Sequence, residues 1–367
     1  MDLLSIVGAR PQFIKAAAVH RALERLGARH GLLHTGQHYD AAMSQVFLEE
    51  LGMPRPLADL GIGSGLHGEQ TARMIAGIEQ ALLGHQPRAV ILYGDTNSTL
   101  AGALAAAKLR IPIAHVEAGL RSFNKAMPEE LNRVLTDHCS TWLFCPTTAA
   151  ISNLEREGFT QAPGPASPDR PQCLLVGDVM HDSALHYAAL AGERSRLQGE
   201  LGLRSEGYLL ATVHRDFNTD APARLAAIIA GLQECAAATG LPVVMPVHPR
   251  TKAALAATRL EPAAGVLMLI DPVGYLDMIA LERGARLILT DSGGVQKEAH
   301  FFRKPCVVLR PETEWTELVE HGQAVLADAD AARIGSAVER FLEQGLPECP
   351  ALYGDGRAAD RIAHTLA

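Results

Sequence analysis

No stretch of the chain approaches the roughly 18 consecutive apolar residues needed to span a bilayer. The N-terminus, Met1-Asp2-Leu3-Leu4-Ser5-Ile6-Val7-Gly8, lacks the basic region of a secretory signal and reads as a first strand. A cytoplasmic protein without a membrane partner is expected. The six cysteines, Cys139, Cys145, Cys173, Cys235, Cys306 and Cys349, are scattered without a CxxC pair. That argues against a disulfide framework or a zinc ribbon and fits thiols in a reducing compartment. Positive charge is also short, 33 Lys and Arg against 41 Asp and Glu for a net charge of −8. A general nucleic-acid surface is excluded with it, so any phosphate must be held by a local basic site. Hydrophobic residues make up 48% of the chain, and this is globular composition.

Short apolar runs alternate with longer helical patterns. The runs Leu3–Val7, Gly31–Thr35, Ala89–Tyr93, Ile113–Val116 and Trp142–Cys145 predict strands in the first half. In the second half the same rhythm gives Cys173–Val176, Tyr208–Val213, Val243–Val247, Val266–Ile270, Leu287–Thr290 and Cys306–Leu309. Such alternation implies an α/β fold with mainly parallel sheets covered on both faces. The segment Thr160–Pro171 holds four prolines and marks the neighbourhood of a linker. We therefore expect a domain over residues 1–168, a second over 169–352, and a terminal helix in 353–367 that packs back on the first.

Polar residues follow apolar strands repeatedly. The Leu3 strand ends in Gly8-Ala9-Arg10-Pro11, the Ala89 strand in Gly94-Asp95, and the Ile113 strand in Glu117-Ala118-Gly119-Leu120-Arg121. Later strands end in His214-Arg215, His248-Pro249-Arg250 and Asp291-Ser292-Gly293-Gly294. Each alone reads equally as a turn or a helix cap. Together, in both halves, they predict a cleft that takes a phosphorylated ligand, because open parallel sheets bind beyond their carboxyl strand ends. Backbone N–H groups at the Asp291–Glu298 turn can hold phosphate, and Glu298 can accept ribose hydroxyls. The plain alternative there is a helix capped by Ser292 with a solvated Glu298. Arg10 and Lys15 form a second candidate anion site, or surface cations on a first helix. Asp95, Glu117 and Glu129 are candidate acid/base carboxylates, although Glu129 also suits a helix N-terminus. Gly63-Ser64-Gly65-Leu66-His67-Gly68 has GxGxxG spacing but follows no clear buried strand, so no NAD site is expected. His34 and His38 are four apart without an HExxH context, and no metal is expected.

Several ordered segments resemble the non-hydrolysing bacterial UDP-N-acetylglucosamine 2-epimerases over nearly the whole chain. They are Gly8-Ala9-Arg10-Pro11-Gln12, Thr35-Gly36-Gln37-His38, Tyr93-Gly94-Asp95-Thr96, His115–Arg121, Pro128-Glu129-Glu130 with Asn132-Arg133, His214-Arg215, and Asp291-Ser292-Gly293-Gly294. The resemblance implies a glycosyltransferase-B fold, two Rossmann-like domains flanking a deep cleft, and a homodimer. It assigns UDP to Arg10, Lys15, His214, Tyr275, Ser292, Gly293, Gly294 and Glu298, with Tyr275 by the uracil. Asp95, Glu117, Glu129, Arg133 and His214 match the catalytic set. Gln37, Arg121, Lys125, Arg215 and Asn218 are placed on the sugar. The implied reaction eliminates UDP to a 2-acetamidoglycal and re-adds it, which needs neither cofactor nor metal.

Departures narrow the substrate. Thr313-Glu314-Trp315 stands where many members carry Thr-Glu-Arg, the Arg121–Pro128 stretch is short, and Gln37-His38-Tyr39-Asp40 differs from the usual run. These variants resemble the subgroup acting on UDP-2,3-diacetamido-2,3-dideoxy-glucuronate, whose C6 carboxylate calls for a cation such as Lys125 or Arg121. UDP-GlcNAc is the other substrate expected. The rival readings are a glycosyltransferase on the same fold and a non-catalytic sugar-nucleotide sensor.

Overall fold

The computed structural model describes residues 2–37, 48, 51–159, 164–258 and 266–367. Its strands form where short runs of Leu, Ile and Val offer no polar face, the pattern of strands buried on both sides. In chain order these are β1 (Leu3–Val7), β2 (His30–His34), β3 (Ala58–Asp59), β4 (Ala89–Tyr93), β5 (Ile113–Val116), β6 (Trp142–Cys145) and β7 (Gln172–Leu175). They pair in parallel in the order β3-β2-β1-β4-β5-β6-β7. A second parallel sheet is built from β8 (Leu209–Thr212), β9 (Val243–Pro246), β10 (Leu267–Ile270), β11 (Leu287–Thr290), β12 (Cys306–Val308) and β13 (Ala324–Leu326). Its order is β10-β9-β8-β11-β12-β13. β3 and β13 are two and three residues long, too short for a periodic signal.

Leu4, Ile6, Val90 and Leu92 bury against Met74, Ile78 and Ala101 in the first unit. Leu209, Leu287 and Leu289 do the same with Ile228, Leu232 and Phe341 in the second. Each such side chain contributes about 1.5–3 kcal/mol on leaving water, so the strand ends that carry polar groups are held rigidly. Both sheet orders reverse direction once, between β1 and β4 and between β8 and β11. Such a reversal leaves a crevice beyond the carboxyl ends of the two strands, because the connections diverge to opposite faces.

The expected boundary between residues 168 and 169 is corrected. β7 pairs with β6, Leu175 opposite Cys145, so it belongs to the first sheet. The first unit is Met1–Ser183 with Tyr353–Ala367, and the second is Ala184–Leu352. Proline punctuates a connection inside a sheet as readily as one between domains, and the segment around Ser167–Arg170 is such a connection. Residues 160–163 of it lie outside the described residues. The terminal helix Ala358–Leu366 is part of the first unit, its first N–H groups capped by Asp182 at 3.1 and 2.8 Å. Among the described residues no helix is long and apolar enough to cross a membrane.

Candidate active site

In the first unit, β1 runs into Gly8 and β4 into Gly94, either side of the reversal. A Cβ on Gly8 would collide with the hydroxyls of Ser98 and Thr35, so only glycine lets the end of β1 pass so close to helix Asn97–Lys108. Gln12, buried in the first turn of helix Arg10–Arg25, ties the two strand ends together. Its Oε1 accepts from the Gly8 and Ala9 N–H groups (2.8 and 3.1 Å), and its Nε2 donates to the Tyr93 carbonyl (2.7 Å) and Thr99 (2.9 Å). Gln12 lies inside a recognised motif, yet only this geometry gives it a task.

Lys15, from the same helix, forms an ion pair with Glu117, and both side chains are only 10% exposed. Gly94 makes room for them: it sits at φ +61°, and a Cβ there would lie 3.3 Å from both Glu117 Oε2 and Lys15 Nζ. Glu117 itself is left-handed at φ +75°. That conformation costs a non-glycine residue about 1–2 kcal/mol and persists where the surroundings enforce it. Asp95 pairs with Arg133 of helix Pro128–Cys139. Arg133 also donates to Glu130 at 3.2 Å, and Asn132 donates to the Asp95 carbonyl at 2.9 Å. Gln37 Oε1 accepts from the Ser98 N–H and hydroxyl at 3.1 and 2.7 Å. Arg10, Lys15, Gln37, Asp95, Glu117 and Arg133 are thus carried at or beside the ends of β1, β2, β4 and β5. Glu129 stands exposed in the first turn of its helix, and Lys125 is exposed in the preceding loop.

Two residues expected at the sugar have partners inside the fold. The Arg121 side chain is 1% exposed, donates to both oxygens of Glu157 at 2.6 and 2.7 Å, and pairs with Asp137 at 2.7 Å. Its donors are engaged inside the fold. Asn218 is buried as well, donating to Asp291 at 3.1 Å and the Leu309 carbonyl at 3.0 Å. It holds Asp291. His34 pairs with Asp59 at 3.1 Å, while His38, Tyr39 and Asp40 lie outside the described residues.

In the second unit β8 ends at His214-Arg215 and β11 at Asp291-Ser292. Asp291 is fully buried and accepts from the backbone N–H of His214 and of Arg215, each at 3.0 Å. It also faces His214 Nδ1 at 3.3 Å. Burial lowers the His214 pKa from its usual value, and Asp291 opposes that shift. Helix Gly293–Phe301 starts directly after Ser292, whose side chain makes no capping hydrogen bond. The plain reading of Ser292 as a side-chain cap therefore fails, and the first-turn N–H groups present a partial positive charge. Glu298 is buried on that helix and accepts from the Tyr275 hydroxyl at 3.1 Å. Burial and the neighbouring Glu298 push the Tyr275 hydroxyl and the fully buried Glu282 carboxyl well above their usual ranges. Arg215 is exposed. Spacing gave no sign of Trp315: its Nε1 donates to the Gly293 carbonyl at 2.9 Å, and its ring carries the Lys297 ammonium 4.1 Å from the centroid.

The sequence model of the family described as UDP-N-acetylglucosamine 2-epimerase matches residues 21–367. The chain belongs to that epimerase family. It is 50% identical to the UDP-2,3-diacetamido-2,3-dideoxy-D-glucuronate 2-epimerase of Pseudomonas aeruginosa, over 100% of this chain and 99% of that protein. It is 41% identical to the UDP-N-acetylglucosamine 2-epimerase of Methanocaldococcus jannaschii, with the same coverage. A crystal structure of the M. jannaschii enzyme in complex with UDP-GlcNAc and UDP superposes with a TM-score of 0.86, covering 100% of this chain and 99% of that one. The Neisseria meningitidis enzyme bound to UDP-GlcNAc, 28% identical, gives 0.85 over 100% and 99% of the two chains. As a member of this family the chain is an isomerase with a glycosyltransferase-B-like fold. The glycosyltransferase and sensor readings are set aside.

Proposed function

We propose that this epimerase inverts C2 of UDP-2,3-diacetamido-2,3-dideoxy-glucuronate, in the supply of surface-polysaccharide precursors. The observation that carries the reaction is the pair of carboxylates at the ends of β4 and β5, Asp95 against Arg133 and Glu117 against Lys15. For the substrate, the support is the 50% identity to the P. aeruginosa enzyme. UDP-GlcNAc is the alternative, favoured by the M. jannaschii structure in complex with it.

C2 is not beside a ketone, so its proton cannot be taken to a stabilised carbanion. Instead a base removes the C2 proton while the C1–O bond breaks. The C2–H electron pair becomes the C1=C2 bond of a 2-acetamidoglycal, and the C1–O pair leaves on UDP. Re-addition of the UDP oxygen at C1, with protonation of C2 from the opposite face, completes inversion. Two differently placed acid/base groups are required, drawn from Asp95, Glu117 and Glu129. In the second unit the N–H groups at Ser292, Gly293 and Gly294 stabilise the departing diphosphate, with His214 oriented by Asp291. Glu298 accepts the ribose hydroxyls and Tyr275 lies by the uracil. In the first unit Arg10 offers a further anion contact. With Arg121 engaged elsewhere, Lys125 is the cation offered to the C6 carboxylate. A homodimer is part of this reading, supported by Leu131 and Leu135, which are 45% and 48% exposed one turn apart on helix Pro128–Cys139. A monomer mass by light scattering would overturn that part.

The test is epimerisation in D2O, read by NMR, with each UDP-sugar and no acceptor. Deuterium enters C2 of the product on this mechanism, and the diacetamido-uronate turns over faster than UDP-GlcNAc. Epimerisation without exchange sinks the elimination route, and preference for UDP-GlcNAc sinks the substrate assignment.

A further inference from the structure

The first unit holds a buried ionic cluster that the reaction above does not use. His115 lies in β5 two residues before Glu117, and its side chain and that of Asp137 are both 0% exposed. Its Nε2 is 2.8 Å from the Gly94 carbonyl oxygen and its Nδ1 is 2.6 Å from Asp137 Oδ1. A carbonyl oxygen only accepts, so Nε2 carries a proton. The Gly119 N–H donates to Asp137 Oδ2 at 3.1 Å, and the Arg121 guanidinium reaches the same oxygen at 2.7 Å. A carboxyl that takes a guanidinium and an amide on one oxygen is ionised. The ring thus bridges the Gly94 carbonyl and the Asp137 carboxyl group.

Arg121 stands against both Asp137 and Glu157. His138, the other ionisable group beside Glu157, is 3.5 Å from it and half exposed. The nearby Cys145 and Cys173 thiols are pushed up by burial and remain neutral.

We propose that His115 is a positioning residue for the acid/base carboxylates. It clamps the Gly94 carbonyl directly and the Gly119 amide through Asp137, fixing the two turns on which Asp95 and Glu117 stand. The Gly94 clamp matters because residue 95 follows it at once, and a small displacement of an acid/base group is costly. Asp137 and Arg121 serve this ring, which gives Arg121 its place. The inference rests on the acid/base reading of Asp95 and Glu117.

The test uses the full chain labelled with 15N-histidine. The His115 ring shows a protonated Nε2 hydrogen-bonded to the Gly94 carbonyl. An Nε2 without a proton overturns the proposal. His115→Gln lowers kcat and C2 deuterium exchange together by about 10²-fold, with the Kd for UDP within about two-fold. A variant that keeps wild-type kcat overturns it too. If that variant does not fold, Asp137→Asn is read instead, and it lowers kcat and C2 deuterium exchange together in the same way. The ring signals are read without substrate. A failure of the epimerase reading, with no C2 exchange by the wild type, is therefore distinct from a failure of this one.

Discussion

Asp291→Asn is the perturbation that separates scaffold from chemistry in the second unit. The side chains are nearly isosteric, so the buried site keeps its shape. Asp291 Oδ2 accepts from the His214 N–H, the Arg215 N–H and the Asn218 amide at 3.0, 3.0 and 3.1 Å, while Oδ1 faces His214 Nδ1 at 3.3 Å. An asparagine that keeps its oxygen at the Oδ2 position retains three hydrogen bonds but loses their charge assistance, about 1 kcal/mol each. Roughly 3 kcal/mol of stability is lost, which lowers Tm by about 6–12 °C for a unit of this size. The new amide hydrogens then point at His214 Nδ1, which must accept instead of donate. The imidazole is forced into the other tautomer, with its proton on Nε2, and its capacity at the diphosphate is altered. Loss of a carboxylate that orients a working histidine costs up to about 10⁴ in kcat in the best-studied triads. Here, with His214 39% exposed, we expect about 10²–10³. Steady-state epimerisation and thermal melts on the same preparation give both numbers. A variant with lowered Tm and wild-type kcat would refute the argument that Asp291 sets the His214 tautomer.

Trp315→Phe keeps a ring beneath Lys297 but removes the indole N–H from the Gly293 carbonyl, one hydrogen bond worth about 0.5–1.5 kcal/mol. The Kd for UDP by calorimetry should rise about 2–10-fold, and an unchanged Kd would sever Trp315 from the nucleotide site. Asp182 is pushed up from 3.8 to about 6 by burial, against the helix N–H groups that favour its carboxylate. A raised acid holds its proton longer in the folded chain, so its stability contribution is full below pH 3.8 and is lost as pH rises through about 6. At 1.36 kcal/mol per unit that is at most about 3 kcal/mol, less whatever solvent screens. Asp182→Asn should therefore gain on the wild type between about pH 4 and pH 7, and parallel Tm curves would contradict this.

What was legible in the sequence follows from how local each signal is. β1, β4, β5, β6 and β11 match their expected bounds because a short, mainly apolar run bounded by polar residues needs no partner to be recognised. Asp95, Glu117, His214 and Ser292 could be picked out because each follows such a run, and a parallel sheet presents that position to ligands. Arg121 satisfies the same rule and serves the scaffold. What turned it inward is Asp137 on another helix and Glu157 on a third element, partners no spacing rule connects. The partner of Asn218 was hidden for the same reason, its acceptor Asp291 lying 73 residues away. The Thr160–Pro171 segment misled in another way: proline reports a break in regular structure, not what lies on either side of it. β7 decides that question by pairing with β6. A strand end thus predicts that a polar residue is available, whereas its distant partners determine whether it meets a ligand. His115 is the clearest case, since it lies within β5, where a polar residue reads as an interruption. Its two partners, Gly94 and Asp137, make it the link between the turns that carry the acid/base residues.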